Sequence, residues 1–349
     1  MTHRYFVATS TRCGVVLWLT VSVAGQVPNA SAQANQGTAP TMPRNTLRTA
    51  DGQPDLQGVW DFRTITPLER PHALGDKQVL SDKEAAGFEA EENRRQNRDL
   101  IDPTKGGAQY PAGGVVPYNE FWYDRGHRII GSKRTSLIVD PADGRLPLRT
   151  PEGERRVAAR LADGRANQGG RPRADSYEDR PMGERCIAGF NAGPPMTPGA
   201  YNNNVQIFQA PGYVAILNEM IHDARIIPLD GRPRLAVPQK HGDSRGRWEG
   251  NTLVVETINF AHETSLDGSS AAMRLVERFT RIDADTLKYE FTVDQPTEWT
   301  KPWTAQMSMI KSPDRIYEYA CHEGNYSLAG VLAGARADEK AAAKAKDPG

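Results

Sequence analysis

The chain has 349 residues, with 43 Lys and Arg against 43 Asp and Glu, so its formal net charge is zero. That balance gives no basic surface pointing to nucleic acid, so none is expected as a partner. A hydrophobic content of 38% with 32 Gly and 25 Pro suits a loop-rich β protein better than a helix bundle.

The amino terminus carries Arg4 and Arg12, an apolar run from Gly14 to Ala24, and then Ala30-Ser31-Ala32. A charged start, a short apolar core and small residues before a cut are the parts of a secretory signal peptide, here residues 1–32. The run is too short to span a bilayer comfortably, so the expectation is cleavage and a periplasmic or secreted product with no stable membrane insertion. Residues 33–54 are Ala-, Gln-, Thr- and Pro-rich and read as a disordered leader. A single domain is expected over 55–336, and the Ala- and Lys-rich residues 337–349 read as a disordered tail.

The domain opens with Gly58-Val59-Trp60 on an expected strand, a pattern similar to the first strand of lipocalin-like barrels, in which Trp closes the floor. An ordinary core Trp accounts for Trp60 equally well. Ser81-Asp82-Lys83-Glu84 is a capping box that opens a charged helix to about Arg98. Phe121, Trp122 and Tyr123 fill a core or line a pocket, Ser136 to Asp140 reads as a strand, and Thr150-Pro151 starts a second helix. Residues 163–181 carry no periodicity and read as surface loop.

From Tyr201 the chain becomes a run of short apolar segments separated by Gly, Pro, Asn and Asp. The segments are Val214–Met220, Arg225–Leu229, Leu253–Phe260, Leu275–Ile282, Leu287–Val293, Ala305–Lys311 and Ile316–His322. Such spacing argues for an antiparallel meander. Leu287, Tyr289, Phe291 and Val293 alternate with Lys288, Glu290 and Thr292, giving one apolar face. Seven or eight such strands curl, and closure removes their edges, so the fold class read here is mainly β, an antiparallel up-and-down (lipocalin-like) β-barrel with a few peripheral helices and long loops. Ser327 to about Arg336 reads as a closing helix.

Beyond the signal segment, which holds Cys13, there are two cysteines, Cys186 and Cys321. They are either free buried thiols or, given export, a disulfide closing a long loop and contributing about 4 to 5 kcal/mol in the chain-entropy view. Three stretches, Gly242-Asp243-Ser244-Arg245-Gly246-Arg247-Trp248-Glu249-Gly250, Asp294 through Trp303, and Cys321-His322-Glu323-Gly324-Asn325-Tyr326, together resemble a family of exported bacterial proteins. The resemblance implies export and a lipocalin-like barrel. It brings no assigned reaction, so no functional residue is carried over from it.

Candidate chemistry rests on strand ends. Alternation from Val214 puts Asn218 and His222 on one apolar wall, and alternation from Ile316 puts His322 at the end of the last expected strand, next to Glu323. His222 and His322, with Glu323 and Asp243, are the acid–base candidates, and Arg225 and Arg245 are the holders of an anionic group. Asn203, Asn218, Trp60 and Tyr319 complete the expected ligand-binding set. The bland alternative for each His is a satisfied core imidazole. Gly242-Asp243-Ser244-Arg245-Gly246 matches the nucleophile-elbow pattern, but a hairpin follows where that motif needs a helix, so a polar turn is the plainer reading. His222, His241, His262 and His322 with Asp243 or Glu323 show no compact metal-ligand spacing, and no cofactor fingerprint is present. Trp299 and Trp303 either stack on a sugar or pack. The function expected is an exported small-molecule-binding barrel, leaning to metal-independent acid–base catalysis of the lyase, isomerase or hydrolase type on a small organic ligand. The alternatives are a non-catalytic periplasmic carrier and an envelope interaction protein.

Overall fold

The computed structural model describes residues 48–100, 119–162, 174–189, 191–261, 266 and 271–346. The expected signal peptide, most of the leader and His262 lie outside the described residues.

Ten strands form one antiparallel sheet. They are β1 (Gly58–Asp61), β2 (Ile138–Asp140), β3 (Asn204–Ala210), β4 (Tyr213–Asn218), β5 (Ala224–Pro228), β6 (Asp243–Glu249), β7 (Thr252–Ile258), β8 (Arg274–Arg281), β9 (Thr286–Asp294) and β10 (Trp303–Ser312). Among the described residues three α-helices accompany them: α1 (Asp82–Gln96), α2 (Pro151–Ala162) and α3 (Tyr326–Lys346). The order across the sheet is β5-β4-β3-β1-β10-β9-β8-β7-β6. Two meanders, β3 to β5 and β6 to β10, are therefore joined by β1, which pairs with β10 through Val59 and Ser312 and with β3 through Trp60 and Val205. The short β2 takes the rest of the same edge of β10, at Thr304 and Ala305.

Alternation of side chains decides which face is buried. Along β9 the pattern is perfect: Leu287, Tyr289, Phe291 and Val293 are fully buried and the residues between them are not. Each such side chain contributes about 1.5 to 3 kcal/mol of apolar burial. Trp60, Phe279, Trp303, Met307 and Met309 fill the same core. Trp60 donates from Nε1 to the Leu56 carbonyl at 2.8 Å, and the Arg281 guanidinium lies 4.8 Å from its ring while also donating to the Asp55 carbonyl.

The sheet curls strongly. Arg225 on β5 forms a bidentate pair with Glu277 on β8, although β5 is the first strand across the sheet and β8 the seventh. Gly246 on β6 sits against β5, where an added Cβ would meet Leu229 Cδ2 at 2.6 Å and Ile227 Cγ2 at 2.9 Å. The two end strands thus abut through side chains, but no ladder joins them, so the sheet is not closed into a barrel. This corrects the expected closure: where β5 and β6 meet, the contact is side chain to backbone, Ile227 and Leu229 against Gly246, and not a hydrogen-bonded ladder.

Other expectations are corrected in the same way. Ile316 to His322 is not a strand, because β9 on one side and β1 with β2 on the other already occupy both edges of β10. The segment lies largely exposed, and Cys321 is tethered instead to Cys186 by a disulfide with Cα atoms 5.7 Å apart. The alternation from Val214 stops at Asn218, whose N–H bonds the Asp223 carbonyl and closes a turn in which Ile221 has φ 55°. Gly242-Asp243-Ser244-Arg245-Gly246 runs into β6 itself rather than forming a turn between strands. α3 continues to Lys346 through residues expected to be disordered, since Ala and Lys favour helix.

α1 begins as the capping box requires: Ser81 Oγ accepts from Glu84 N and Glu84 Oε2 accepts from Ser81 N at 2.9 Å. α2 is docked on Glu298, a buried carboxylate that receives Arg156 Nη2 at 2.6 Å and pairs with Arg149. Trp299 and Trp303 pack edge to face 5.7 Å apart and are both buried, which makes them core.

Candidate functional site

The inner face of the curled sheet is lined by a continuous apolar core. Aromatic side chains fill it, and the loop before β3 plugs it, with the Met196 N–H donating to the Tyr289 hydroxyl at 3.1 Å. Within this core Glu277 is fully buried and accepts from Arg225 Nη1 at 2.6 Å, Arg225 Nη2 at 3.0 Å and the Tyr289 hydroxyl at 2.8 Å. Burial works against the Arg225 charge, but Glu277 outweighs it and holds the guanidinium pKa above its ordinary value. Burial first, and the Glu277 charge second, push the Tyr289 phenol well up, so it stays a donor.

The seam between β5 and β6 is different. Where Gly246 packs on Ile227 the two strands touch, and towards the start of β6 they part around a cavity of about 280 Å³. Arg225, Lys240, His241, Asp243 and Ser244 line it, with Ile226 and Leu235 as its apolar wall. Asp223, at the foot of β5, places Oδ1 3.2 Å from His241 Nε2 and 3.4 Å from Lys240 Nζ. The imidazole contact is off line, so His241 Nε2 and Asp223 Oδ2 are buried without a hydrogen-bond partner. Burial raises the Asp223 pKa, but His241 and then Lys240 outweigh it, and the carboxyl lies below its ordinary range.

Two more open atoms belong to this region. Arg225 Nε and Asn218 Oδ1 are buried and unpartnered, although Asn218 Nδ2 reaches the Asp223 carbonyl at 3.3 Å. Buried polar atoms are nearly always bonded, so the open Arg225 Nε, on a residue that lines the cavity, is a donor that a ligand there could complete. By contrast both Asp243 oxygens are engaged, Oδ2 by the Leu235 N–H at 2.6 Å and Oδ1 by Arg245. Arg245 also donates to the Arg232 carbonyl at 3.0 Å, and Ser244 Oγ pairs with Thr257 Oγ1 at 2.9 Å.

Of the residues expected from sequence, Asn218, Arg225, Asp243 and Arg245 fall around this seam. The others do not assemble there. Trp60 is sealed in the core, and Asn203 is fully engaged by Gly199, Asn191 and the Asp124 carbonyl. Tyr319 stacks on Tyr201 beside Met220 and Ile221, and His322 and Glu323 are exposed on a turn. The His222 side chain lies outside the described residues. Sequence reading did not single out Asp223, and it named His241 only in a metal alternative. The available signal was proximity in chain to two strand ends, Asp223 before β5 and His241 before β6.

A larger cleft of about 560 Å³ lies between α1, Thr64–Leu68 and Thr197–Ala200. Its polar side chains are engaged by the protein itself: Thr64 with the Arg128 carbonyl, Glu92 with Arg95 and Gln96, and Arg125 with the Gln96 carbonyl and Glu120. Among the described residues no cluster of three or more His, Cys, Asp or Glu could hold a metal ion, and no helix is long and apolar enough to cross a membrane. Comparison of the chain with protein-family models, curated proteins and solved structures finds no match.

Proposed function

We propose that this is an exported protein of lipocalin-like design that binds a small organic molecule in the β5–β6 seam and moves a proton on it. His241 is the acid–base group. Asp223 fixes the ring and stabilises its protonated form, and Arg225 supplies the donor at the inner wall. The observation that carries this reading is a cavity lined by His241 and by a buried guanidinium with an open Nε, Arg225, while Asp223 Oδ1 lies 3.2 Å from the imidazole. An imidazole paired with a carboxylate is the usual means of proton transfer near neutral pH, and it needs no metal. The disulfide between Cys186 and Cys321 fits an oxidising compartment.

The test uses ligand-observed NMR on a library of small organic molecules in D₂O. Binders should exchange a carbon-bound proton for deuterium in the presence of the protein. The His241→Ala variant should still bind them and lose the exchange. Binding without exchange in the parent protein would refute the catalytic step and leave a carrier, and an absence of binders would refute the site.

A further inference from the structure

Resting on that reading of the seam, we infer that its ligand is a short-chain organic carboxylate, held by Arg225 and Lys240 at its charged end and by Ile226 and Leu235 along its aliphatic body. The inference follows from which hydrogen-bonding capacities are used and which are open. On the acceptor side, Glu277 has both oxygens occupied by Arg225 and Tyr289, and Asp243 has both occupied by Leu235 and Arg245. Asp223 Oδ1 accepts from Lys240 and lies 3.2 Å from His241 Nε2, which leaves its Oδ2 as the one carboxylate oxygen still open, with the Asn218 amide oxygen open nearby in the chain.

On the donor side two cationic residues line the cavity. Arg225 keeps Nε–H free while its side chain is only 4% exposed. Lys240 carries three N–H donors and has a single distant partner at 3.4 Å. Glu277 and Asp223 already balance the two charges, but the N–H donors left over on Arg225 and Lys240 are satisfied by a ligand group with two acceptor oxygens. A carboxylate meets that need with one oxygen for each cation.

Size and wall chemistry set the remainder of the ligand. A cavity of about 280 Å³ lies just below the range of drug-sized ligand sites, roughly 300–1,000 Å³, and so limits the ligand to a few heavy atoms. Ile226 and Leu235 are 62% and 58% exposed at its border, so an aliphatic chain of a few carbons has apolar surface to cover.

The probes are butanoate, butanamide and butylamine, which share a chain and differ in head group, with inorganic phosphate as a fourth. Binding is measured by calorimetry at low salt. Butanoate should bind at least about tenfold tighter than butanamide or phosphate, and butylamine should not bind. Lys240→Gln should weaken butanoate about fivefold to tenfold and leave butanamide unchanged. Ala224→Trp, which fills the cavity, should abolish binding of both. If butanamide or butylamine binds as tightly as butanoate, or phosphate binds more tightly, the carboxylate assignment is overturned while the seam survives as a site. If none of the four binds, the reading of the seam falls with it.

Discussion

The pair between Arg225 and Glu277 is the most exacting test of the fold, because these residues meet only if the sheet curls until its first strand faces its seventh. Replacing Glu277 with Leu leaves a guanidinium buried without its counter-ion and takes away the acceptor of the Tyr289 hydroxyl. Replacing Arg225 with Met leaves Glu277 buried with Tyr289 as its remaining donor. Breaking a buried pair from one side costs about 3 to 5 kcal/mol, whereas exchanging both partners for apolar groups of similar volume is near neutral. The two single variants should therefore each lose about 3 to 5 kcal/mol, and the double variant should be less destabilised than the sum by about 3 kcal/mol or more. Urea unfolding followed by tryptophan fluorescence measures all four corners of the cycle. Additive losses, or singles within about 1 kcal/mol of the parent, would show that the residues do not touch and that the curl is wrong.

Four further outcomes are expected. Replacing Cys186 and Cys321 with Ser opens a link of sequence separation 135 and should cost up to about 5 kcal/mol in the chain-entropy view, measured as a lower urea midpoint. Gly246→Ala pushes a methyl onto Leu229 and Ile227 and should cost about 1 to 3 kcal/mol, with faster hydrogen exchange along β5 and β6. Ser81→Ala removes the cap of α1 and should cost about 1 kcal/mol; the capping carboxyl of Glu84 is depressed to about 2, chiefly by Lys77 and then Ser81, so its help is present above the ordinary range near 4.5 and fades as pH falls towards 2. Asp223 is depressed as well, so the stability it adds is complete above its unfolded pKa and lost on acidification below it; Asp223→Asn should flatten that part of the acid limb of the urea midpoint against pH.

The strands of the second meander were legible because their signal is local. Leu287 to Val293 alternates so regularly that the buried face could be assigned residue by residue, and the bounds found, Thr286–Asp294, differ by one position at each end. Ile316 to Ala320 has comparable composition, yet what decides its state is remote: β10 has no edge left to offer. The Val214 wall failed for a related reason, since a turn closed by Asn218 and Asp223 leaves no trace in alternation. Site residues followed the same division. Arg225 and Asp243 were found from their places at strand ends, while their association with His241 depends on two strands separated by the whole width of the sheet.

The location of the candidate site follows from the way the sheet ends. β5 and β6 are each hydrogen-bonded on one side only, and an open strand edge must be covered or closed. Here side chains do the covering over part of the seam, at Gly246 with Ile227 and Leu229, and the segment leading into β6 covers the rest with Lys240 and His241. In a fully laddered barrel the same positions would be walled off by backbone hydrogen bonds, and Arg225 would have no opening beside it. An unclosed seam instead brings a buried guanidinium anchored in the core within reach of a half-buried imidazole on a loop, with Asp223 between strand and loop. A rigid inner group and an adjustable outer one on opposite sides of a small cavity form an arrangement suited to holding one end of a ligand still while a proton moves at its neighbour.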